Sequence, residues 1–84
     1  MAGKTIKVLQ KEIKDAVEKY NSTHEKKLEF VSKHTYKGGE ARYAERYKLG
    51  DKEFSLVGCK TNPCMAVTLN GDVEYMDEFL ETLA

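Results

Sequence analysis

The side chains with the most capacity for chemistry in this chain are two thiols and two imidazoles. Cys59 and Cys64 bracket Lys60-Thr61-Asn62-Pro63 and are the only cysteines; His24 and His34 are the only histidines. Four readings are open to the thiols: a redox couple, half of a metal site, a disulfide, or two strand ends meeting across a turn. A redox couple commonly has two intervening residues at the start of a helix, a context missing here. Structural zinc takes four ligands, commonly from two close pairs, and nine residues separate His24 from His34. Threonine, asparagine and proline suit a turn, and four residues is an ordinary hairpin length. The expectation is therefore structural and metal-free, with the thiols as near-opposite strand ends. A disulfide across the turn would require oxidising conditions.

The other reactive types form no catalytic constellation. Ser22, Ser32 and Ser55 lack a nucleophile context, and neither histidine is paired with a carboxylate in a known arrangement. His34 falls on the apolar phase of its segment and is expected as a partly buried edge residue; His24 lies in a polar connection and is expected to be exposed. Ala2-Gly3-Lys4-Thr5 echoes the end of a phosphate-binding loop but has no strand or earlier glycine before it, so no cofactor is expected. These absences argue against an enzyme.

The elements that must position any site follow from periodicity. Over 5–21, Ile6, Leu9, Ile13, Ala16, Val17 and Tyr20 recur at helical spacing. Over 26–36, Leu28, Phe30, Ser32, His34 and Tyr36 alternate with Glu29, Val31, Lys33 and Thr35, as in a strand. Segment 41–49 fits a helix capped by Gly50 or a strand; its short glycine-bearing flanks favour the strand. Segments 52–59 and 64–70 read as two more strands. Asn70-Gly71 signals a hairpin, whereas Asp72 suits a helix N-cap. The recurrence of Val73, Met76, Phe79, Leu80 and Leu83 then predicts a helix over 73–83 that packs on the sheet.

Helix, four strands and helix, joined by short links, make an α+β two-layer sandwich. One antiparallel meander lies between an N-terminal and a C-terminal helix, in a single domain over residues 1–84. The first 60 residues carry all 14 lysines and arginines against nine acids, a net of +5; residues 61–84 carry five acids and no base. The start of the chain has no apolar run for a signal peptide or membrane span, so a cytosolic, non-membrane protein with reduced thiols is expected.

The expected binding surface comes from Lys33, Arg42, Arg46 and Lys48. If 41–49 is a strand, Arg42, Arg46 and Lys48 share one face around Ala44, with Lys33 joining from the neighbouring strand. Tyr43, Tyr47 and Leu49 turn the other way, toward the helices. Such a stripe suits a phosphate backbone or an acidic protein. The local acids Glu40, Glu45 and Asp51, and tyrosines on the opposite face, weaken the nucleic-acid case. The composition therefore points first to a small non-enzymatic domain that binds a larger protein as regulator, inhibitor or adaptor. A nucleic-acid binder comes second, and a small enzyme or ligand carrier third.

Overall fold

A computed structural model describes residues 3–83. Helix α1 (Ile6–Thr23) precedes strands β1 (Glu29–Thr35), β2 (Ala41–Leu49), β3 (Lys52–Cys59), β4 (Met65–Thr68) and β5 (Val73–Tyr75), and helix α2 (Met76–Thr82) ends the chain. The strands form one sheet in the order β1-β2-β3-β4-β5, each antiparallel to its neighbour. The α+β class, the two terminal helices and the meander are as expected, and segment 41–49 is a strand. The strand count is five rather than four.

Thr5 caps α1, its side chain accepting from the Val8 N–H, and Leu9, Ile13, Val17 and Tyr20 form its buried stripe. Helix α1 lies over β2 and β3, while α2 covers β4 and β5. At Gly58 the approach is close enough that an added Cβ would sit 2.8 Å from Leu9 Cβ, so the glycine lets helix and sheet meet. Between the layers, Tyr43, Tyr47, Phe54, Leu56 and Ala66 from the sheet meet Met76, Phe79, Leu80 and Leu83 from the C-terminal segment. Phe79 packs on Phe54 with ring centroids 4.8 Å apart. The expected burial of Phe79, Leu80 and Leu83 is met. Among the described residues no helix is long and apolar enough to cross a membrane.

The fifth strand comes from residues expected to begin the last helix. Gly71, with φ of +91°, completes a tight turn in which Thr68 N–H donates to Asp72 O at 2.9 Å and Gly71 N–H to Thr68 O at 3.0 Å. Asp72 N–H also donates to Thr68 Oγ1. The backbone of Asp72 thus closes a hairpin instead of Asp72 capping a helix. Val73, Glu74 and Tyr75 pair with Val67, Ala66 and Met65, and α2 starts at Met76 with Tyr75 as its N-cap. Three more backbone partners for β4 outweigh one extra helical turn that would rest on Val73 alone.

Candidate binding surface

Because both helices cover one side of the sheet, the other side is open, and the register defines it as rows. One row reads Ser32, Arg46, Ser55, Val67, Val73 from β1 to β5; the next reads His34, Ala44, Val57, Met65, Tyr75. Each row changes character midway. The β1 and β2 end is polar and basic. The β3 to β5 end is apolar: Val57, Met65 and Val67 are half-buried, while Val73 is 57% and Tyr75 49% exposed.

Three of the four expected site residues are on or beside this open face. Arg46 and Lys48 flank the polar end, and Arg42 occupies an irregularity between Ala41 and Tyr43, where it is half-buried. Of the three, Arg46 is the one held in an ion pair among the described residues. Arg46 Nη1 is 3.4 Å from Glu53 Oε2, and Lys48 stands in register between Glu29 on β1 and Glu53 on β3.

Lys33 does not join them. A register shift between Phe30 and Ser32 inserts one residue into β1, and every side chain beyond it changes face. Phe30 pairs with Tyr47 on the helix side, Ser32 and His34 face the open side, and Lys33 is the partner of Glu45 on the helix side. Simple alternation could not show this, since a bulge leaves no mark in the polar pattern. The same shift corrects His34, which is exposed and edge-on to Tyr36 at 4.5 Å rather than partly buried. His24, expected to be exposed, is half-buried: it stacks on Tyr20 at 3.8 Å and ends α1.

On the helix side, Lys33 overlooks a groove between α1 and β1 lined by Gln10, Lys14, Phe30 and Glu45. The Glu45 carboxylate accepts from the hydroxyls of both Tyr43 and Tyr47. Burial, then Glu45, pushes the Tyr43 hydroxyl up to about 12, and Tyr47 shifts the same way for the same reasons.

The thiols are free and buried, but they are not facing strand ends. Cys59 ends β3 opposite Ala41, whereas Cys64 belongs to the loop before β4 and packs in the core between sheet and helices. The Cys64 thiol donates to Glu12 Oε1 at 3.5 Å, and burial, then Glu12, pushes it up to about 11. Cys59 is raised too, first by burial. Both thiols are therefore poor nucleophiles at neutral pH. The turn between them is held from outside, since one Glu40 oxygen accepts from the N–H groups of Thr61 and Asn62 and from both side chains. Those two backbone N–H groups keep the Glu40 carboxyl below its ordinary value. Among the described residues no three potential metal ligands cluster.

Sequence reasoning missed the apolar end of the open face. The signal was available: taking Asn70-Gly71 as a hairpin turn puts Val73 and Tyr75 beside Val67 and Met65. The chain matches no protein-family model, and no characterised protein or solved structure matches it.

Proposed function

We propose that this chain is a small, non-enzymatic binding domain that acts on a larger protein through the open face of its sheet. The observation that carries the reading is the apolar end of that face, which neither helix covers. A contiguous apolar patch rimmed by charged groups is the usual anatomy of a protein interface. Val57, Met65, Val67, Val73 and Tyr75 supply the patch; Arg42, Arg46 and Lys48 supply the rim, where paired charges set orientation more than affinity. A reducing, cytosolic setting suits two unbridged thiols.

The alternative, a nucleic-acid interface, is weaker. Phosphate binding needs uncompensated cations, but Arg46 is paired with Glu53, Lys48 lies between two glutamates, and Lys33 faces the other way. The test is affinity capture from source cells with the wild type, Val67→Glu and Tyr75→Glu. A protein retained by the wild type and lost by both folded variants supports the reading. A partner retained equally by all three overturns it. Mixed nucleic acid bound at low salt and released at high salt favours the alternative instead.

A further inference from the structure

We propose a second interaction surface: the free edge of β1, which accepts an extended acidic segment of a partner protein as a sixth strand. The two edges of the sheet differ greatly in what they offer. Strand β5 has three residues, whereas β1 has seven, all exposed. Beyond its bulge the uncovered strand presents a regular row of backbone groups from Ser32 to Thr35. Their direction follows from the register. Tyr36 N–H donates inward to Arg42 O at 2.9 Å, and the 34/44 and 35/43 pairings continue the same alternation. In an antiparallel pair, residues alternate between inward and outward backbone groups. The backbone groups of His34 therefore point toward β2, and Lys33 and Thr35 present their N–H and C=O groups outward.

Charge chooses the occupant. Residues 26–37 hold Lys26, Lys27, Lys33 and Lys37 against Glu29 alone, a net of +3; on the helix side Lys14 borders the groove, and the acid there, Glu45, has its carboxylate engaged by the Tyr43 and Tyr47 hydroxyls. A second copy would bring the same positive charge to the same edge, so lysine here guards against self-pairing while favouring an acidic strand. An incoming strand that alternates acidic and β-branched residues places its acids on the helix side, toward Lys33 and Lys14. Its apolar residues then lie beside His34 and Tyr36. Main-chain bonds to Lys33 and Thr35 supply affinity, and the lysines supply selectivity. This surface does not depend on the open face.

The probe is an alternating (Glu-Val) octapeptide, with the (Lys-Val) octapeptide as its control, titrated at low salt and followed by amide shifts and amide exchange. The expected result is saturable binding of the acidic peptide alone, with the Lys33 and Thr35 amides protected. Thr35→Pro removes one outward N–H and leaves the bonds to β2 in place, so the variant should fold and bind at least ~10-fold more weakly. Lys33→Glu combined with Lys37→Glu should abolish acidic-peptide binding, and Val67→Glu should leave it unchanged. The proposal is overturned by no binding, by equal binding of the basic peptide, or by affinity indifferent to Thr35→Pro, which would indicate charge attraction without strand pairing. Loss of binding in Val67→Glu would also overturn it, by placing the peptide on the open face. Concentration-dependent self-association protecting the same amides would overturn it in favour of a second copy.

Discussion

The two ends of the sheet solve opposite problems. At the β5 end the strands are short, and α2 packs over them, placing Phe79 and Leu80 in the core. At the β1 end the strand is long and extends beyond the main helical cover, with Phe30 56% exposed against Tyr47. The first end is protected by packing on one side and leaves apolar groups showing on the other. The second is left open from Ser32 to Thr35, and its lysines discourage pairing with a second, equally basic copy without burying anything. Stability and recognition are therefore unequally distributed: the β5 end carries much of the core, and the β1 end carries little of it.

The largest test of that inequality is truncation after Asp72. Met76, Phe79, Leu80 and Leu83 are all buried, and each large apolar side chain is worth ~1.5–3 kcal/mol. Their combined loss rivals the whole stability of a typical domain, so the truncated chain should show no cooperative melt by circular dichroism. A cooperative melt would show that β1 to β4 and α1 suffice.

Single phenylalanines sharpen the comparison. Phe79→Ala empties a site against Phe54 and should cost ~3–5 kcal/mol in chemical denaturation. Phe30→Ala removes a ring that is mostly in solvent and should cost under ~1 kcal/mol. Similar values for the two would mean that β1 contributes to the core as much as α2 does.

An intermediate effect is expected at alkaline pH, on β2 between the two ends. In the folded chain Tyr43 holds its proton to about 12, above its ordinary value of 10.0. The unfolded chain therefore releases that proton first, and stability should fall as pH rises from 10 toward 12. Tyr43→Phe should flatten this dependence in melts collected across that range. An unchanged slope would place the titration elsewhere.

The smallest effect is expected from Arg46→Ala. Its pairing with Glu53 is exposed and 3.4 Å long, so stability should move by less than ~0.5 kcal/mol. A larger loss would mean that the arginine stem packs across Ala44 and Ser55.

The candidate surface was half legible in the sequence. Arg46 and Lys48 fall on one face once the glycine-bearing flanks make 41–49 a strand, with Tyr43 and Tyr47 on the opposite, helix-facing side. Lys33 was misplaced because one inserted residue reverses the phase of β1, and the exposed strand has no buried residue to reveal the slip. The apolar end was overlooked because Val73 fits a helical stripe as well as it fits a strand. Three residues are too few for periodicity to decide.

What the sequence determined by itself was what depends on neighbours along the chain. The stripe of α1, the glycine turns, the alternation of β2 and β3 and the apolar positions Phe79, Leu80 and Leu83 are all of this kind. The tertiary structure decided what depends on partners far away in the chain. It set the register that pairs Lys33 with Glu45, the hairpin that turns 73–75 into a strand, and the separation of Cys59 from Cys64. It also decided which face of the sheet the helices leave open. Local propensities differ by fractions of a kcal/mol per residue, whereas pairing a strand or burying a ring is worth more, so the distant contacts settle such choices.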